Sequence, residues 1–146
     1  MYVAPRGTID ILPEDQRGVS RPQGPRPDIG AYEVPNSNMP DLKGTWRHIT
    51  LLSDNKLQGN VIVTNAGQTS AGKFYVKVYA SKDGVTPGTL LKTYTIMRLK
   101  AGTSNKYELT YSSWKPAWDY VMALIDPGNK VFERNERNNT AVHTVP

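Results

Sequence analysis

The chain is 146 residues long and carries a net charge of +5, with 12 glycines, 11 prolines and no cysteine. That length accommodates one ordinary domain plus an appendage, and zero cysteine excludes disulfides, thiolate metal sites and cysteine nucleophiles. No apolar run approaches the ~20 residues of a membrane-spanning helix, and residues 1–7 lack the basic-then-apolar profile of a secretory signal.

Residues 1–40 hold seven prolines and four glycines and keep no helical or strand period. Pro5-Arg6-Gly7, 21–27 and 34–38 predict extended or turning backbone with few amide donors for a sheet. The segment cannot build its own core, so residues 1–35 are expected to form an extended Pro/Gly-rich arm and 36–40 a linker. Charge divides at the same place. The first 40 residues hold four arginines against five carboxylates, and the remainder 14 lysines and arginines against eight. A basic domain favours nucleic acid or anionic surfaces. Here the lysines alternate with apolar residues, as on solvated strand faces, so no nucleic-acid partner is expected.

From Asp41 onward short strands recur at the spacing of an all-β sandwich or barrel. They are predicted over 46–52, 57–65, 74–81, 90–96, 107–111, 118–126 and 140–145. The clearest places Phe74, Val76, Val78 and Ala80 on one face and Lys73, Tyr75, Lys77 and Tyr79 on the other. Lys82-Asp83-Gly84 ends it as a turn. Residues 120–125 are apolar at every position, which predicts a central strand covered on both faces. Polar turns stop two of the runs: Val61-Ile62-Val63 meets Asn65-Ala66-Gly67, and 120–125 meets Asp126-Pro127-Gly128-Asn129. Asn65, Gly67, Asp126 and Gly128 are therefore expected to fix turns, and Asn138 or Asn139 to satisfy loose amides before the last strand.

The segments Asp41-Leu42, Asn65-Ala66-Gly67, 74–79, 99–104 and 126–139, in that order, resemble the CARDB family, a cell-adhesion-related domain of bacteria and archaea. The most specific stretch is the last, with its Asp, Asn, Val, Glu, Asn-Glu and Asn-Asn pattern. The resemblance covers 41–146 and implies an immunoglobulin-like, seven-stranded antiparallel sandwich. It also implies a noncatalytic module of exported, often multidomain surface proteins. Within 1–34, Asp15-Gln16-Arg17-Gly18, Arg21-Pro22 and Asp28-Ile29-Gly30-Ala31-Tyr32-Glu33 resemble the closing segment of secreted parallel β-helix proteins of the polymorphic outer-membrane type. In such proteins a β-helix precedes this stretch.

Candidate chemistry is sparse. Asp126, Asn129, Glu133 and Glu136 supply hard oxygen ligands for calcium across a turn, although no Asp-x-Asp-x-Asp-Gly loop is present. Calcium is the sole cofactor candidate. His48 and His143 sit in no catalytic motif, and no Gly-rich phosphate loop precedes a helix. Trp114 and Trp118 flank Lys115-Pro116-Ala117 and would stack on sugar rings if exposed. Asn138-Asn139-Thr140 matches a glycosylation acceptor, a triplet that arises easily by chance. The expected role is a noncatalytic extracellular or cell-surface structural or adhesion module, contacting other modules or its own copies through its basic face and strand edges. Two alternatives are a fibre or array subunit assembling through the arm, and a carbohydrate-binding accessory of a polysaccharide-acting β-helix protein.

Overall fold

A computed structural model describes residues 38–146 and, as backbone alone, a short antiparallel pair of β1 (Tyr2–Val3) and β2 (Ile9–Asp10). The rest of the expected arm, with its β-helix-like motif, lies outside the described residues. Seven strands follow: β3 (Leu42–Leu51), β4 (Leu57–Asn65), β5 (Phe74–Ser81), β6 (Thr89–Ile96), β7 (Ser104–Tyr111), β8 (Tyr120–Ile125) and β9 (Thr140–Thr144). They form two antiparallel sheets, β3-β4-β7 and β6-β5-β8-β9, the immunoglobulin-like sandwich expected from the sequence.

Period-two burial builds the core between the sheets. Leu57, Val61 and Val63 from β4 face Phe74, Val76, Val78 and Ala80 from β5, with Val121, Ala123 and Ile125 from β8. Two strands start three or four residues earlier than expected. β3 begins at Leu42 because Gly44 lets it press against the second sheet: a Cβ there would lie 2.6 Å from Ile125 Cδ1 and 3.3 Å from Ala141 Cβ. β7 begins at Ser104, and its first three residues are exposed, so no apolar period announces them.

The lateral boundaries close differently. On one side β3 lies against β9, and Trp46 Nε1 donates to the Ala141 carbonyl at 3.0 Å. On the other, Tyr94 of β6 packs on Tyr107 of β7 with ring centroids 5.3 Å apart, and its hydroxyl donates to Glu108 O at 2.6 Å. Burial, with help from the Glu108 charge, pushes that hydroxyl up to about 12, so it remains a donor. Lys92 Nζ reaches the same carbonyl at 3.4 Å. These side chains occupy the β7 edge where an added strand would bond, which works against the edge contact expected from the sequence.

The expected double covering of 120–125 is not what forms. β8 is second from the edge, with Val121, Ala123 and Ile125 in the core and Tyr120, Met122 and Leu124 on the outer face. Met122 is buried by its row neighbours, Tyr79 on β5 and Val142 on β9, rather than by another layer among the described residues.

Candidate functional site

At one end of the sandwich the strands hand over to a cluster of polar side chains that are buried or half-buried. Asn65 ends β4 fully buried and uses its whole hydrogen-bonding capacity. Its Oδ1 accepts from Asp41 N at 3.1 Å and Gly67 N at 3.0 Å, and its Nδ2 donates to Thr69 O at 2.8 Å and Leu99 O at 3.1 Å. Gly67 is required for close approach, because a Cβ there would fall 2.2 Å from Met39 O and 2.6 Å from Asp41 N.

Asp126 ends β8 with φ +47° and is buried. Its two oxygens accept from Lys130 N at 3.0 Å and Val131 N at 2.7 Å, fixing the turn that Gly128 and Asn129 complete. Glu133 is fully buried, taking Leu42 N on Oε2 at 2.6 Å and Asn139 Nδ2 on Oε1 at 2.9 Å. Asp41 accepts from Asn138 Nδ2 at 2.7 Å and pairs with Arg134. The amide oxygens of Asn138 and Asn139 have no donor among the described residues. Burial, reinforced by the Glu136 and Asp126 charges, pushes Glu133 up to about 7 despite the opposing Leu42 and Asn139 hydrogen bonds.

The backbone joins this network. Ala66 N donates to Asp41 O at 2.7 Å, Gln68 N to Met39 O at 3.1 Å and Arg134 N to Pro40 O at 2.8 Å. Thr69 Oγ1 donates to Asn38 O. Residues 38–42 are thus bonded to the loops after β4 and β8 before the first sandwich strand is under way. The segment 38–40, expected as linker, is part of the sandwich end.

The calcium candidate does not assemble. Among the described residues no group of three or more His, Cys, Asp or Glu converges to hold an ion. The physical reason is that Asp126 and Glu133 spend both carboxylate oxygens on N–H donors, while Asn129 is an exposed turn residue with φ +47°. The glycosylation triplet is likewise engaged, since Asn138 Nδ2 already bonds Asp41.

The opposite end is aromatic. Trp114 and Trp118 are 3% and 8% exposed, meet edge to face at 5.3 Å, and are joined by a 3.1 Å hydrogen bond from Trp114 Nε1 to Trp118 O. They close the core, and the free ring face that sugar stacking requires is missing. Trp118 forms one wall of a pocket of about 350 Å³ shared with Lys82, Asp83, Thr86 and Pro87. There the Thr86 and Val85 amides hold the Asp83 carboxyl well below the usual range, so it serves its own turn. His48 and His143 are both exposed, on β3 and β9.

The two outer sheet faces contrast. That of β3-β4-β7 carries Lys43, Arg47, Lys106 and Glu108 in paired rows. That of β6-β5-β8-β9 carries the cross-strand row Leu90, Tyr79, Met122, Val142, flanked by Leu124 and Tyr120, with Lys77 as the charged residue among its paired rows. Leu90 and Val142 are 49% and 42% exposed. Register creates this row from four separate strands, so it was missed from sequence. Asp41 and Arg134 were missed as well.

A family model for CARDB matches residues 39–143. The CARDB domain of a Pyrococcus furiosus protein, solved in complex with di-metal ions, is 24% identical with a TM-score of 0.61, covering 73% of this chain and 87% of that one. A solution structure of that domain is 25% identical with a TM-score of 0.58, covering 74% and 94%. A domain of a putative cell surface protein from Methanosarcina acetivorans is 23% identical with a TM-score of 0.60, covering 73% and 90%. No curated protein matches the chain. The polar end built from Asn65, Asp126, Glu133, Asn138 and Asn139 lies wholly inside the matched span, and the chain belongs to the CARDB family.

Proposed function

We propose that the sandwich is a noncatalytic module of an extracellular or cell-surface protein and that it acts by protein–protein contact through the outer face of β6-β5-β8-β9. CARDB domains are adhesion-related, and the buried polar side chains at one end bond the backbone and one another while Trp114 and Trp118 close the other. The observation that supports the contact face is the Leu90-Tyr79-Met122-Val142 row. Leu90 and Val142 are exposed at its two ends, half-buried Tyr79 lies between them, and the face carries little charge, as at the cores of interfaces, while the other outer face is ordinary charged surface.

The test is clustering of beads coated with the full chain, compared with a Leu90→Glu/Val142→Glu chain. Wild-type beads cluster and variant beads stay dispersed. Clustering that survives the variant, or that is lost on Lys43→Glu/Lys106→Glu instead, places the contact elsewhere and defeats the reading.

A second reading, copies assembling into a fibre or array through residues 1–37, is supported by the bonded junction at 38–42, the point at which that segment joins the sandwich. Sizing the protein with and without 1–37 separates the two, because only this reading loses assembly with the segment.

A further inference from the structure

The described chain enters and leaves the sandwich at opposite ends. Residues 38–41 are bonded at the polar end, whereas Val145 N donates to Asp119 O at 2.8 Å beside Trp118, at the aromatic end. β3 and β9 are the first and last sandwich strands. Both run from the polar end toward the aromatic end, and they touch along the boundary between the sheets. There Gly44 sits against Ala141, and Trp46 Nε1 bonds the Ala141 carbonyl. At the head of this pair, Leu42 N bonds Glu133, Asp41 pairs with Arg134, and Pro40 O accepts from Arg134 N.

We infer that this module carries tension along its long axis, and that the β3–β9 pair together with the 38–42 junction is the element that resists it. The inference stands independently of the contact face. A pull between opposite ends must slide β3 along β9 and strain the junction bonds together. A pull between two points at the polar end opens the same bonds one after another. Forced unfolding follows the unfolding rate, so contacts that must break together lengthen the lifetime multiplicatively, by roughly fivefold for each hydrogen bond of ordinary net strength.

Because the chain has no cysteine, handles go on full-length chains carrying Asn38→Cys with Pro146→Cys, or Asn38→Cys with Lys130→Cys. All three positions are exposed. Lifetimes are read at one constant force. With at least two bonds sheared together, the opposite-end geometry is expected to live at least about twentyfold longer than the same-end geometry. Trp46→Phe removes the indole N–H and keeps a ring; it shortens the opposite-end lifetime roughly fivefold and leaves the same-end lifetime within about twofold. Equal lifetimes in the two geometries overturn the inference even if Trp46→Phe does not fold. So does a Trp46→Phe effect of the same size in both.

Discussion

Replacing Asn65 by Ala removes four hydrogen bonds, one with Asp41 N of the 38–42 junction, two with Gly67 N and Thr69 O in the loop after β4, and one with Leu99 O. The two sides of the amide do not count equally. Leu99 O keeps its bond from Ala71 N at 2.9 Å, and Thr69 is exposed, so both carbonyls retain partners or solvent. The amides of Asp41 and Gly67 are in buried residues and lose their acceptor. At about 1–3 kcal/mol for each orphaned donor, the loss is about 3–4 kcal/mol once the loop relaxes partway. With an m-value of ~1–1.5 kcal/mol/M for a domain this size, the urea midpoint falls by roughly 2–4 M. Asn65→Asp sharpens the test. It keeps the acceptor but sets a carboxylate oxygen against Thr69 O and Leu99 O, so burial and repulsion raise its pKa above the unfolded value. Its stability is therefore greatest at low pH and declines as pH rises through the folded pKa, while Asn65→Ala shows no such recovery in acid. A loss below about 1 kcal/mol in Asn65→Ala, or a pH-independent deficit in Asn65→Asp, refutes the account of Asn65 as the hub of this end.

Glu133 sets a second pH dependence. Its folded pKa of about 7 lies above the ordinary 4.5, so its contribution is full below 4.5 and is lost as pH rises toward 7. Glu136, Asn138 and Asn139 are only half-buried. With solvent screening from that side, the loss amounts to on the order of 1–2 kcal/mol. In urea titrations Glu133→Gln abolishes this slope, Asn139 turning its amide to meet the new donor; an unchanged slope assigns it to another group. Gly44→Ala drives a Cβ to 2.6 Å from Ile125 Cδ1 and costs about 1–3 kcal/mol. Ile125→Val removes that methyl, so the double variant recovers at least about 0.5 kcal/mol relative to additivity, and strict additivity contradicts the contact. Millimolar calcium moves the melting midpoint by less than about 1 °C. A larger rise that Glu136→Gln abolishes would restore the metal site.

What the sequence discloses follows the range of the interaction. The sheet-forming alternation of 57–65 and 74–81 is local, and both strands form with the expected bounds. Asn and Asp at strand ends bond nearby backbone, and that local rule serves for Asn65 with Gly67 and for Asp126 with Lys130 and Val131, whereas Asn138 and Asn139 donate to the Asp41 and Glu133 carboxylates and their own oxygens meet no amide among the described residues. The same residues also reach far along the chain. Asn138 and Arg134 meet Asp41 across more than 90 residues, and Glu133 meets Leu42 across 91. Nothing local reports those partners, so Glu133 read as a calcium ligand and Asp41 as a boundary. The apolar row of the outer face was hidden for a related reason: each of Leu90, Tyr79, Met122 and Val142 looks ordinary in its own strand, and only register aligns them.

Those long-range bonds tie the module's two features to one another. β8 places Met122 on the outer face and hands over, at Asp126, to the loop that carries Glu133, Arg134 and Asn138 onto the junction. The outer face is therefore one strand and one turn from the bonds that hold 38–42. Leu90→Glu/Val142→Glu should consequently leave exchange of the Leu42 amide unchanged, because its acceptor belongs to that loop and not to the face. Amide exchange measured residue by residue decides this. Faster exchange at Leu42 in that variant would show that the face and the junction form one cooperative unit instead of two joined by a turn.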